Sequence, residues 1–162
     1  MTTLVIIVNK RKDFHIFEGS TSDLFGSDSQ SGDLLHSSDL GKTWSNLGAN
    51  AFDDIAVSPE KSGVAIALKA NELFHTGNAF KSTIKIKSSQ KFSQIEWVQS
   101  GLYGLSGSTL YKSIDSAKTW KKLRVFEGNA GVLSADDQLL LVTVGANIYT
   151  SESAGVTFKK VI

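Results

Sequence analysis

Ser113-Ile114-Asp115-Ser116-Ala117-Lys118-Thr119-Trp120 is one of three stretches in this chain that copy one another at a fixed distance. The other two are Ser37-Ser38-Asp39-Leu40-Gly41-Lys42-Thr43-Trp44 and Ser151-Glu152-Ser153-Ala154-Gly155-Val156-Thr157-Phe158. Trp44 and Trp120 stand 76 residues apart, and Trp120 and Phe158 stand 38 apart. The first spacing is twice the second, so a fourth copy is expected between the first two. Self-similarity at such a period marks a repeat architecture.

The gap holds a worn copy. Leu73-Phe74-His75-Thr76-Gly77-Asn78 aligns with Leu110-Tyr111-Lys112-Ser113-Ile114-Asp115. Asn78 then takes the place of Asp39 and Asp115, Ser82 that of Thr43 and Thr119, and Thr83 replaces the tryptophan. Upstream, Leu34-Leu35-His36-Ser37, Leu110-Tyr111-Lys112-Ser113 and Ile148-Tyr149-Thr150-Ser151 align without gaps. Short apolar or alternating runs, such as 95–98, 102–105 and 139–144, are separated by Gly and Asn. Short strands with turn signals at near-regular spacing predict an all-β chain. No long window carries a helical apolar stripe with start and stop signals, so almost no helix is expected.

Each repeat reads as four strands, with the octamer as the hairpin from the third into the fourth. Four strands in about 40 residues is the unit of a β-propeller blade. The prediction is a β-propeller-like domain over 1–162, complete or half, with four blades of four antiparallel strands. The blades fall at about 1–47, 51–87, 92–127 and 130–162.

The pattern Ser-x-Asp-x-Gly-x-Thr-Trp resembles the Asp-box, or bacterial neuraminidase repeat. That repeat occurs in propeller families such as sialidases, sortilin-type receptors and photosystem II assembly factors. The resemblance covers nearly the whole chain, and Ile55-Ala56-Val57-Ser58-Pro59 is similar to the first blade strand of those families. It implies a structural role for Ser37, Asp39, Gly41, Thr43 and Trp44, for Asn78, for Ser113, Asp115, Thr119 and Trp120, and for Ser151, Gly155, Thr157 and Phe158. A carboxylate in a tight hairpin accepts hydrogen bonds from backbone N–H groups that the turn leaves free. Glycine permits a positive φ, and the aromatic ring packs on the sheet. The third octamer departs from the pattern with Ala117 for Gly, and the fourth with Ser153 for Asp and Phe158 for Trp. Such drift suits a scaffold better than a set of equivalent ligand sites.

Composition narrows the function. At 162 residues the chain is one domain's worth, and its hydrophobic fraction of 41% is globular. A net charge of +1 offers no field for nucleic acid or an anionic membrane. There is no cysteine, hence neither disulfides nor thiolate metal sites. Leu4 to Val8 is too short and wrongly flanked for a signal peptide or membrane span, and reads as an inner blade strand. A soluble chain, cytoplasmic or virion-associated, is expected.

No catalytic constellation emerges, and no cofactor or metal is expected. Sialidases sharing the repeat hold the substrate carboxylate with three arginines; this chain has only Arg11 and Arg124. Gly104-Leu105-Ser106-Gly107 is one residue short of a nucleophile elbow. Gly41-Lys42-Thr43 lacks the upstream glycine of a phosphate loop, that place being His36. The acidic pairs Asp53-Asp54 and Asp136-Asp137 are the available carboxylates for hydrolysis, and solvated turn positions account for them as well.

Surface candidates are few. His36, His75 and Lys112 occupy corresponding repeat positions, on one face that could meet a ligand or simply be wet. Gly19 to Asp33 reads as a polar insertion, a mobile hairpin loop in which Leu24-Phe25 would dock on this protein or on a partner. Lysines and an arginine cluster on the predicted outer strands: Lys81, Lys85 and Lys87; Lys121, Lys122 and Arg124; Lys159 and Lys160. Charge on an edge strand prevents edge-to-edge pairing, and aromatics for base stacking are not interleaved.

The expected function is a non-catalytic binding or assembly module that presents loops to a protein or glycan, such as a structural component of a phage virion. The alternative is a glycoside hydrolase-like enzyme or its remnant. Four blades could close alone, belong to a longer propeller, or pair as a homodimer into an eight-bladed ring.

Overall fold

The computed structural model describes residues 14–162, which form sixteen strands in four separate four-stranded antiparallel sheets. Sheet one holds β1 (Phe14–Gly19), β2 (Leu24–Asp28), β3 (Asp33–Ser37) and β4 (Ser45–Ala49) in that spatial order. Sheet two holds β5 (Asp54–Val57), β6 (Ala65–Lys69), β7 (Glu72–Thr76) and β8 (Ile84–Ile86). Sheet three holds β9 (Gln94–Val98), β10 (Gly101–Ser106), β11 (Thr109–Ser113) and β12 (Lys121–Val125). Sheet four holds β13 (Ala130–Ala135), β14 (Leu140–Val144), β15 (Asn147–Ser151) and β16 (Lys159–Lys160). Every strand pairs with its sequence neighbour, so each sheet is an up-and-down meander. This is the all-β propeller arrangement expected from the repeat, and no helix occurs among the described residues.

The first strands of successive sheets pack on one another, β1 on β5, β5 on β9 and β9 on β13. They form the inner wall, and the fourth strands lie at the outer edge. The expectation for Leu4 to Val8 lies outside the described residues. One expectation fails. Gly19 to Asp33 is no inserted loop: it supplies β2 and the turns on either side of it. Leu24 and Phe25 are 1% and 0% exposed. The polar composition misled because Gly26 and Ser27 are strand residues. Gly26 is kept small by the Phe14 ring, which would lie 2.5 Å from an added Cβ.

The core is three interblade layers rather than one centre. Between sheets one and two lie Phe25, Leu34, Ile55, Ala67 and Phe80. Between two and three lie Ile66, Leu68, Leu73, Phe92, Ile95 and Leu102, with Tyr111 and Trp120 against them. Between three and four lie Tyr103, Leu105, Leu110, Phe126, Leu133 and Val142. Each sheet is thus apolar on both faces, which is why the second strands β6, β10 and β14 read as near-continuous apolar runs. Burying a single large side chain in such a layer contributes roughly 1.5–3 kcal/mol.

Candidate binding surface

The four octamer turns share one hydrogen-bond scheme. Ser37 Oγ accepts from the backbone N–H groups of Asp39 and Gly41, and donates to Asp39 Oδ1 at 2.8 Å. Asp39 in turn accepts from Thr43 N at 2.8 Å and Thr43 Oγ1 at 2.6 Å. Ser113, Asp115, Ala117 and Thr119 repeat this atom for atom. In the worn copy, Thr76 and Asn78 do the same work for Phe80 and Ser82. In the last copy Ser153 Oγ receives Thr157 N at 2.8 Å, and Ser151 receives Gly155 N at 3.0 Å. Hydrogen bonds from the Thr43 and Thr119 hydroxyls and amides pull Asp39 and Asp115 down to about 2. These groups are spent on the turn. Trp44 Nε1 donates to Gly41 O at 3.1 Å, whereas the Trp120 indole N–H is buried without a partner, and Phe158 has no such group.

The acidic pairs are tied up in the same way. Asp53 accepts from Ala70 N, and Asp54 from Ile55 N and, across to the next sheet, from Ile95 N at 2.8 Å. Asp136 accepts from Gln138 and Leu139, and Asp137 from Gln99 N of sheet three. They act as turn caps and interblade clamps. His36 leaves the wet face assigned to it: its ring stacks on Phe25 at 4.6 Å, and Nε2 meets the buried Asp23 Oδ1 at 2.7 Å. Burial opposes the charge on Asp23, but hydrogen bonds from His36, Ser62, Gly63 and Ser22 outweigh it and hold the carboxyl below its ordinary value. His75 and Lys112 occupy the matching β7 and β11 positions, opposite Ile66 and Tyr103. Lys112 Nζ lies over the Tyr103 ring at 5.1 Å. None of the contacts described for these three residues joins one to another. Lys85 at the outer edge is paired with Glu72.

Two features escaped the sequence reading. The first is on the inner wall, where Asp54 of β5, one of the acidic residues the sequence offered, comes together with Glu18 of β1 and Glu96 of β9, which it did not. Burial, then the charges of Glu96 and Asp54, push Glu18 up to about 8. Burial and the Asp54 charge bring Glu96 to about 7. Burial raises Asp54 to about 6 against the hydrogen bonds of Ile95 and Ile55, with Asp53 adding a little. No ion pair to these three is present among the described residues. Glu18 and Glu96 are 78 residues apart, about two repeat lengths, and hold matching register positions, Glu18 opposite Phe25 and Glu96 opposite Tyr103. That spacing is the signal that could have revealed them.

The second feature is a groove of about 250 Å³ between sheets two and three, on the side that carries the octamer turns. Ser58, Lys61, Trp97, Gln99, Ser100 and Ile114 are among the residues lining it. Its two siblings are plugged. Between sheets one and two, Asp23 reaches Gly63 N at 3.0 Å. Between sheets three and four, the Asp137–Gln99 and Tyr103–Ala154 hydrogen bonds leave a hollow of only about 10 Å³. The described residues hold no His/Asp/Glu group arranged for a metal ion, and no helix among them is long and apolar enough to cross a membrane.

With this geometry in hand, the fold can be compared with known proteins. No family model matches the chain, and no curated protein matches it. Among solved structures it is similar to "YCF48 bound to D1 peptide", with a TM-score of 0.64 and 14% identity over 92% of this chain and 54% of that one. It is also similar to YCF48 from Cyanidioschyzon merolae, with a TM-score of 0.59 and 12% identity over 88% of this chain and 41% of that one. The chain therefore spans about half the length of the structures it matches. At these identities the likeness is one of fold, a β-propeller.

Proposed function

We propose that this chain is a non-catalytic propeller module that holds an extended protein segment in the groove between sheets two and three. The observation that carries the reading is that this interblade groove stands open while its two siblings are filled by the protein's own side chains. Its hydroxyls and Gln99 can meet a peptide backbone, and the Trp97 indole offers an apolar surface to a side chain. The desolvated carboxyls of Glu18 and Glu96 would gain the counter-charge they lack from Lys or Arg on such a segment. A propeller of similar fold, YCF48, has been solved with a peptide bound, which supports protein over glycan as the partner class. The octamer turns, which resemble Asp-boxes, serve as scaffold in this reading. Service within a larger particle such as a virion is compatible with it, since such a role needs only a partner surface.

A peptide array probed with the 162-residue chain tests the proposal. Binding of basic segments, lost in Ser100→Tyr and weakened in Glu96→Gln, is the expected result. An array with no binding, or binding that ignores Ser100→Tyr, contradicts it.

One observation favours the second reading, a carbohydrate-active enzyme. Carboxyls brought to between about 6 and 8 are suited to proton transfer near neutral pH. Turnover of aryl glycosides abolished by Glu18→Gln or Glu96→Gln would establish that reading and end the first.

A further inference from the structure

The molecule builds one interface three times and leaves both halves of a fourth uncovered by any described sheet. Strand register defines the first half, the face each sheet turns to its successor. Leu24, Leu102 and Leu140 lie opposite Ser37, Ser113 and Ser151, so Phe25, Tyr103 and Leu141 are equivalent, as are Leu34, Leu110 and Ile148. In sheet two the same places are Ile66 and Leu73. The first three pairs are fully buried against the next sheet. Leu141 and Ile148 are only half-buried, and beside them on the inner wall Val132 is 47% exposed.

The second half is the face each sheet turns to its predecessor. In sheet three, Phe92 and Trp120 pack over Gly104, with the Phe92 ring 2.6 Å from where a Cβ would sit, and the layer is pressed onto sheet two. Sheet one repeats this construction: Phe14 lies 2.5 Å from the corresponding point on Gly26, and Phe14, Phe17 and Trp44 form one aromatic cluster. No described sheet precedes it, and all three rings are half-buried.

Polar clamps follow the same logic. Asp54 accepts Ile95 N–H of the next sheet, and Gln94 accepts Leu133 N–H of the next. Asp54, Gln94 and Val132 each stand one residue before the equivalent positions Ile55, Ile95 and Leu133. Val132 has no oxygen to offer.

We infer that the occupant of these faces is a second copy of this chain. Sheet four of one copy would receive Phe14, Phe17 and Trp44 of the other, and a two-fold axis along the channel would close a ring of eight sheets through two equal contacts. A second copy fits because each end carries the half-interface that the other end lacks. Both contacts form at once, so the second is intramolecular and closure is favoured over open chains. This inference rests on the interblade layers and stands or falls independently of the peptide groove.

Sedimentation velocity and light scattering on the 162-residue chain test it, with three variants. The unmodified protein is expected at about twice 17.5 kDa. Val132→Arg places a charge on the free face and is expected to give a monomer with an unchanged circular dichroism spectrum. Val132→Gln restores the missing clamp and is expected to tighten the dimer by about three- to tenfold, the worth of a hydrogen bond. Val156→Arg, in the last octamer turn and 78% exposed, is expected to leave the dimer untouched. A monomer at all micromolar concentrations overturns the inference and indicates that the faces are covered by other chain or by another protein. So do open-ended polymers, or a dimer indifferent to Val132→Arg.

Discussion

Asp39 and Asp115 on the rim and Glu18 and Glu96 on the inner wall carry the same functional group in opposite settings. On the rim each carboxylate is surrounded by two hydroxyls and by amides from its own octamer, and falls to about 2. On the wall the carboxyls are partly desolvated, have one another for neighbours, and rise to about 7 or 8. The rim groups are satisfied locally and hold hairpins together. The wall groups are brought together by topology, satisfied by nothing in their own strand, and available to something else. Local satisfaction marks scaffold here, and its absence marks the surface where a partner is to be sought.

The largest expected effect tests the rim. Ser113 Oγ accepts the amides of Asp115 and Ala117, the second of them buried. Ser113→Ala should cost about 1–3 kcal/mol, the price of a buried donor left unpaired, read by urea denaturation. A cost near zero would show that the turn is not the fastening it is taken for.

Next comes the wall. A carboxyl whose value is raised on folding stabilises the protein fully below its unfolded value and loses that contribution as pH climbs through the folded one. For Glu18 and Glu96 the window runs from the ordinary value of 4.5 to about 8 and about 7. Stability should therefore decline from pH 4.5 to pH 8, and the Glu18→Gln, Glu96→Gln double variant should flatten that decline. At pH 8 the double variant is expected to gain about 1–2 kcal/mol, with allowance for the solvent that still reaches these groups. At pH 4.5 it should match the parent. The rim carboxylates act with the opposite sign: their contribution is present above the ordinary 3.8 and fades as pH falls toward 2. Together the two regions place the optimum near pH 4–5, and Asp115→Asn should blunt only the acid limb of a thermal-melting profile. The smallest effect is a repair. Ser153→Asp in the last turn would give Thr157 N and Oγ1 the two acceptor oxygens that Asp115 gives Thr119, for a gain of about 0.5–1 kcal/mol.

The rim was legible in the sequence because its chemistry is local. Ser113, Asp115 and Thr119 sit within seven residues, and their spacing is the motif itself. Even the worn copy could be placed, since Asn78 and Ser82 keep the spacing without the charge. The wall was not legible, because Glu18, Asp54 and Glu96 come from three different sheets and no window contains two of them. Leu24 and Phe25 were misplaced for a related reason. Their neighbours Gly26 and Ser27 look like loop, yet Gly26 is small because Phe14 crosses it, a contact between paired strands that composition does not carry. The groove was hidden too, since it exists only by contrast with its filled siblings.

The most direct measurement is a side-chain carboxyl titration by NMR on the intact chain, following Asp39, Asp115, Glu18, Asp54 and Glu96 together. Two groups near 2 and three groups between about 6 and 8 are predicted. Five ordinary values clustered around 4 would contradict the division between a self-satisfied rim and a desolvated inner wall.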